Sequence, residues 1–219
     1  IMLQGVWITL KVSLFSIIFG IIIGIIGGLS RISDNPAAKW LAITYVELIR
    51  GSPLLVQIFI WYFVVGTMVN QLLLAYGLHE IPGLWYGVAS LACFTGAYVT
   101  EIVRAGIQSV ENGQWEASAA LGLSRSRQLI HVIGPQAIRR ILPPLSGQFI
   151  STIKDSAIVS VISIQELTFQ GMELMAATYL TFEIWITITG LYLLLTHSCS
   201  LAVERLEIRL RKGRAVGRH

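Results

Sequence analysis

A short apolar stretch, Ala157–Ile164, is hemmed in by Lys154, Asp155, Gln165, Glu166 and Gln170. These side chains combine charges of both signs with amide donors and acceptors, a set able to hold a polar solute or pass a proton. Gln57 and Glu101 interrupt other apolar stretches, and Ser160 lies inside this one. Bond-breaking chemistry is not assembled. The sequence has no G-x-x-x-x-G-K-[ST], and its lysines are Lys11, Lys39, Lys154 and Lys212, so nothing can cradle a triphosphate. His79-Glu80 lacks the second histidine of a zinc-protease motif, and no Ser/His/Asp set is convincingly placed. His79, His131, His197 and His219 read as interface or surface residues. Cys93 and Cys199 sit in apolar runs with neither metal-ligand spacing nor a disulfide framework. No catalytic residue and no metal site is expected.

The elements that must position these groups follow from composition. The 219 residues are 54% hydrophobic and 13% charged, against roughly 25% charged in a soluble domain. With a mean hydropathy of +0.70, this excludes a disordered chain, a coiled coil and most water-soluble enzymes. An all-α integral membrane protein of one domain over 1–219 is expected. About 20 apolar residues cross a hydrocarbon core, and four stretches qualify: about 5–29, 53–74, 85–103 and 179–203. The first is too long for a cleavable signal, and no A-x-A-like site follows it. Gly20, Gly24, Gly27 and Gly28 give that span a small-residue face for close helix approach.

Charge sets the topology. All Lys and Arg except Lys11 and Lys154 fall in 30–51 (Arg31, Lys39, Arg50), in 104–145 (Arg104, Arg125, Arg127, Arg139, Arg140) or in the tail from 204. Such segments are cytoplasmic by the positive-inside rule, and the net charge of +4 points to the membrane surface rather than to nucleic acid. A cytoplasmic loop and a cytoplasmic tail require an even number of crossings between them. The polar segment at about 149–171 must therefore span as well, giving five helices with the N-terminus outside and the C-terminus inside. An ionisable residue at membrane depth costs about 2.5–3.5 kcal/mol on insertion scales and so faces protein or water. The fourth span should line a cavity.

Residues 34–50 predict a helix on the inner surface, with Pro36 in its first turn and Glu47 and Arg50 spaced to pair. In the 108–145 loop, Asn112 is placed to cap a short helix that Gly122 stops. Ser124 is placed to cap a second helix that Gly134-Pro135 ends. The hairpin is either a plain link between spans or a docking knob for a soluble partner.

Glu116-Ala117-Ser118, Gly122 and Ile133-Gly134-Pro135 resemble the cytoplasmic "EAA" signature of ATP-binding-cassette importer permeases. Segments 47–59, 96–122, 135–145 and 154–167 are similar to polar amino-acid permeases, in the same order along nearly the whole chain. Ser118 replaces the second alanine, and Ser156-Ala157 stands where the family more often has Thr-Ser, both small-for-small changes.

The resemblance implies a permease subunit of an ATP-driven importer for polar amino acids, in a bacterial inner membrane. Glu116, Ala117, Ala120, Leu121 and Gly122 would form the helix that couples to a separate nucleotide-binding ATPase. Gly122 is expected to be the least replaceable, because a side chain would clash with the turn. The chain binds no cofactor, ATP-Mg belonging to the ATPase subunits. A second permease, identical or homologous, would complete the path, with an extracytoplasmic amino-acid-binding protein above and lipid around it. Candidate pathway residues are Gln57, Glu101, Lys154, Asp155, Ser160, Gln165 and Glu166. Plainer roles are an ion pair for Glu101 with Arg104, an inner-end anchor for Lys154 and Asp155, and a helix–helix hydrogen bond for Gln57. Acidic groups outnumber basic ones in the spans, which leans toward a cationic substrate. The alternative is a proton-coupled secondary carrier using Glu101, Asp155 and Glu166 as a relay. A membrane-embedded enzyme or a scaffold fits less well.

Overall fold

The computed structural model describes residues 1–212, and no strand occurs among them. Arg214, Arg218 and His219, part of the cationic tail, lie outside the described residues. Among the described residues, four helices are long and apolar enough to cross a membrane: Met2–Arg31, Leu54–Ala75, Gly83–Gln108 and Thr181–Val203. They match the four apolar stretches read from the sequence.

The centre of the bundle is the parallel pair α1 (Met2–Arg31) and α5 (Gly83–Gln108). Glycine makes their contact possible. A Cβ at Gly20 would come within 2.9 Å of Thr95 Cγ2, and one at Gly28 would strike Val103, whereas Gly24 sits against Val99 and Gly27 against Thr100. The opposite side of α1, with Leu3, Trp7, Leu14, Ile18, Ile22 and Ile26, is exposed.

Between them in sequence, α2 (Pro36–Gly51) starts at Asn35, whose Oδ1 accepts from the Ala37 and Ala38 N–H groups at 3.0 and 3.3 Å. Arg50 does not pair with Glu47. Its guanidinium lies 5.0 Å from the Tyr98 ring centroid, because α2 leans on α5. The Tyr45 hydroxyl donates to the Cys93 carbonyl at 2.6 Å across the same contact, and burial pushes that phenol well above its ordinary pKa. The next span is α3 (Leu54–Phe59), a π-helical stretch at Ile60–Gly66, and α4 (Thr67–Ala75).

After α5 come α6 (Asn112–Ala120) and α7 (Arg125–Gln128), then a π turn at Leu129–Ile133 leading straight into α8 (Gly134–Asp155). Gly134-Pro135 does not end the helix as expected. Proline lacks an N–H and clashes with the carbonyl four residues back, and the wider π turn immediately before it accommodates both. The expected cap at Asn112 falls one residue earlier. Glu111 holds the extended conformation, and Asn112 is already helical.

The stretch expected at about 149–171 is not one helix. From Gly134 the chain runs antiparallel to α5, Ile141 packing at Gly106, Thr152 bonding Thr95 at 3.0 Å, and Ile164 packing at Gly87. At 1.5 Å per residue of α5 this covers about 28 Å. Within it α8 gives way to a 3₁₀ segment, Ser156–Ile162, and Ser163 turns left-handed at φ 59°. Glu166 then starts a separate helix, α9 (Leu167–Thr178), by capping it. Tyr179, also left-handed, reverses the chain into α10 (Thr181–Lys212). Ile184 and Ile188 of α10 pack with Leu167.

Candidate functional site

The hairpin after α5 is built for rigidity. Three backbone bonds close the end of α6: Leu121 N–H to Ala117 O at 3.2 Å, Gly122 N–H to Ala119 O at 2.9 Å, and Leu123 N–H to Ser118 O at 3.2 Å. The last two form a Schellman motif, which needs a left-handed residue at Gly122, and its φ is +76°. The reason for glycine is this conformation rather than the expected clash, since a Cβ there would meet nothing within 4 Å. Ser124 holds the extended cap position of α7 but makes no side-chain cap bond.

The hairpin is bolted inward. Trp115 packs with the Val103, Ile107, Ile133 and Ala137 cluster, and the Arg125 guanidinium sits 4.7 Å from its ring centroid. Gln128 Nε2 donates to Leu123 O at 2.9 Å, Gln136 Nε2 to Gln114 Oε1 at 3.1 Å, and the Arg140 guanidinium to Ser109 O at the end of α5. Ser118, standing where the signature has alanine, is buried and returns its hydroxyl to Trp115 O at 2.9 Å. What faces outward is Glu116, Ala117, Ala120, Leu121 and Gly122, all exposed, with Leu121 at 80%. The five sequence-predicted coupling residues thus share one open surface.

The predicted pathway residues fall into separate places. Glu101 lies near the hairpin end of α5 between two cations. Arg104 forks onto Oε2 at 3.0 and 2.8 Å, and Arg31, from the end of α1, reaches Oε1 at 3.1 Å. Arg104 also donates to Gln108 Oε1 at 2.5 Å. Gln57 is buried and holds α3 to the end of α2, its Nε2 donating to Ile49 O, Ser52 Oγ and Ser52 O. Lys154 and Asp155 follow directly on Thr152, which faces Thr95 halfway along α5, so they lie at mid-length rather than at an inner end.

Glu166 is wholly buried. Its Oε1 accepts from the Phe169 N–H at 2.9 Å, and its Oε2 accepts from the Tyr192 hydroxyl at 2.7 Å and the Thr9 hydroxyl at 3.3 Å. Thr9 Oγ1 accepts in turn from the Leu167 N–H at 3.1 Å. One carboxylate therefore ties α1, α9 and α10 together at the point where the polar segment ends. Ser160 is buried and bonds Ala157 O. Lys154, Val161, Ser163 and Gln165 are exposed and form the open face of that segment, with Asp155 half-buried beside it.

Arg31, Thr9, Tyr192 and Arg140 were not among the expected functional residues. A sequence signal existed only for Arg31, the one cation at the end of its span. Thr9 and Tyr192 are unremarkable polar residues in apolar runs until the fold brings them to Glu166.

Residues 16–212 match the family described as "Binding-protein-dependent transport system inner membrane component". The chain is 36% identical over 211 residues to the glutamine transport system permease protein GlnP of Escherichia coli (strain K12), covering 96% of this chain and 93% of that protein. It is 36% identical over 207 residues to the L-cystine transport system permease protein TcyB of Bacillus subtilis (strain 168), covering 94% and 85%. Among solved structures, the crystal structure of an amino acid ABC transporter with histidines matches with a TM-score of 0.81 at 38% identity, covering 95% and 93%. An inward-facing MetNI methionine ABC transporter shares the fold, with a TM-score of 0.76 at 20% identity.

Proposed function

Because the chain belongs to the family of binding-protein-dependent transport system inner membrane components, we propose that it is the permease subunit of an importer for a polar amino acid. It is a multi-pass membrane protein of the ABC amino-acid permease family, and in that family ATP hydrolysis lies in a separate subunit. The expected location is the bacterial inner membrane.

The observation that carries the coupling role is the hairpin: a stiff, internally bonded element with Glu116, Ala117, Ala120, Leu121 and Gly122 turned outward. Alanines allow close approach, Leu121 offers an apolar knob, and Glu116 an anchor for a partner cation. In our reading these residues dock an ATPase subunit, which holds the ATP-Mg, and movement there is passed to α5 and α8 through Trp115, Gln136 and Arg140.

The chain crosses five times, with its N-terminus outside. Support for the fifth crossing comes from the run of 134–164 along α5, about 28 Å, close to a hydrocarbon thickness of roughly 30 Å. Lys154 at mid-length on an exposed face cannot rest against lipid. We assign that face, with Asp155 and Gln165, to the solute path, closed by a second permease subunit, identical or homologous; Ser160 lies buried just behind it. Gln57, Glu101 and Glu166 act from behind it by fixing the backbone. An extracytoplasmic amino-acid-binding protein delivers the solute, and lipid covers the outer side of α1; nucleic acid has no part. A proton relay is the poorer reading, since Glu101 is held between two guanidiniums and Glu166 by three donors.

The test is purification from mild detergent, followed by mass spectrometry and an ATPase assay. A co-purifying P-loop subunit with vanadate-sensitive turnover is expected, and any second permease settles the pairing. This chain alone, monodisperse and without ATPase, would return the carrier reading.

A further inference from the structure

At the end of the bundle away from the hairpin, the π stretch Ile60–Gly66, the start of α4 and residues 80–83 line an open pocket of about 440 Å³. That is within the usual range for a small-molecule site, roughly 300–1,000 Å³. Its lining includes Tyr62, Gly66, Thr67, Asn70, Glu80 and Tyr86. One wall is preformed. Asn70 Oδ1 accepts from the Ile81 N–H at 3.0 Å and the Tyr86 hydroxyl at 2.8 Å, and Asn70 Nδ2 donates to Ile81 O at 3.3 Å. This fixes the 80–83 connection over α4. Gly66 lets the Tyr86 ring lie close, a Cβ there coming within 3.2 Å of it.

The other polar groups are left over. Among the described residues, the exposed Glu80 carboxylate, the half-buried Tyr62 hydroxyl and the exposed Thr67 hydroxyl line the pocket with neither protein hydrogen bond nor ion pair. Thr67 follows directly on the π stretch and its hydroxyl is exposed at the pocket. π-helical turns often mark functional sites because they displace the regular bond ladder. Among the described residues, Glu80 is the only charged one lining the pocket, which Tyr62 and Tyr86 also line. A carboxylate, hydroxyl acceptors and aromatic faces together suit an ammonium or guanidinium group.

We propose that this pocket binds an organic cation of the ammonium or guanidinium class, at a site separate from the polar face of residues 154–165. The proposal rests on the importer reading for the side it faces, which is the outside, and two sources could supply the cation: a free cationic amino acid, or a Lys or Arg side chain of the binding protein.

The test uses the permease–ATPase complex in lipid nanodiscs, with L-arginine as probe and L-glutamine as its neutral counterpart. Binding is followed by equilibrium dialysis with wild type, Glu80→Gln and Tyr62→Leu, and Glu80→Asp keeps the charge as a folding control. Arginine binding that weakens at least tenfold in Glu80→Gln and is retained in Glu80→Asp supports a free cation. Docking of the binding protein that weakens tenfold in Glu80→Gln, without arginine binding to wild type, assigns the cation to a side chain of that protein. If Glu80→Gln changes neither, the pocket is no cation site. Vanadate-sensitive turnover in the same nanodiscs reports the importer reading independently, so its loss is distinguishable from loss of the site.

Discussion

The Tyr192 hydroxyl donates to Glu166 Oε2 at 2.7 Å, from α10 to the N-cap of α9. Glu166 caps its own helix through Phe169 N–H and receives Thr9 from α1, so one buried carboxylate collects three neutral donors. The polar segment that we assign to the solute path ends against this clamp. Its role is to fix where Gln165 and Ser163 stand.

Removing the carboxylate should therefore cost both stability and transport. Glu166→Ala loses an N-cap, typically about 1 kcal/mol, and also leaves buried donors unpaired at about 1–3 kcal/mol. Glu166→Gln keeps one acceptor oxygen but points an N–H₂ at a donor. The expected order of thermal stability in detergent is wild type, then Tyr192→Phe, then Glu166→Gln, then Glu166→Ala. Transport by Glu166→Gln should change in rate or substrate preference while membrane expression is kept. Unaltered uptake kinetics in a fully expressed Glu166→Gln would remove Glu166 from any role in the path.

Gly122 offers a graded test of the coupling hairpin. Its φ of +76° closes the Schellman motif while open space surrounds its missing Cβ. A residue with a Cβ pays roughly 1–2 kcal/mol there, and Asn less than others. Uptake should fall in the order Gly, Asn, Ala, Val, with ATPase turnover retained but less responsive to the binding protein. Gly122→Asp also places a carboxylate on the docking surface and should uncouple most. If Gly122→Asp kept full coupling and full uptake, the hairpin would not be the docking element.

The ion cluster at the end of α1 is a second route by which the hairpin end is held. Glu101 receives Arg104 from its own helix and Arg31 from α1. The two Arg104 bonds are charge-assisted hydrogen bonds, a class that contributes about 1.5–3 kcal/mol, whereas Arg31 adds an ion pair to Oε1 without hydrogen-bond geometry. Glu101→Ala leaves two guanidiniums facing each other and should lose more stability than Arg31→Ala, with the double variant losing less than the sum of the two. Thermal melts of the four proteins in the same detergent check this. Strict additivity would mean that the Arg31 contact contributes nothing.

The legible parts of the sequence were those where a local rule decides. Four apolar stretches became four long helices because length and hydropathy leave little choice. Gly20, Gly24, Gly27 and Gly28 announced a close contact because they recur on one helical face. The hairpin was readable from Gly122, though the reason lay in its left-handed backbone rather than in crowding. The polar segment was not readable in detail, since its form depends on partners distant in the chain. Ser163 turns left-handed, Glu166 caps a new helix, and the carboxylate is met by Thr9 and Tyr192, 157 and 26 residues away in the chain. Gly134-Pro135 looked like a stop, and a π turn carried the helix through it. Arg50 looked like the partner of Glu47 until α5 supplied Tyr98.

The α1–α5 contact makes a prediction that separates packing from chain flexibility. At Gly28 a side chain would run into Val103, and at Gly20 a Cβ would lie 2.9 Å from Thr95 Cγ2 and 3.3 Å from the Ala92 carbonyl, an atom with no rotamer to move. At Gly51 and Gly147 a Cβ meets nothing within 4 Å. Both sets are helical, so alanine at each raises intrinsic helix propensity by up to about 1 kcal/mol. Gly147→Ala and Gly51→Ala should thus be neutral or slightly stabilising, whereas Gly20→Ala and Gly28→Ala should lower the melting temperature and Gly20→Leu should prevent folded expression. Equal effects at all four positions would mean that α1 and α5 do not approach as closely as described.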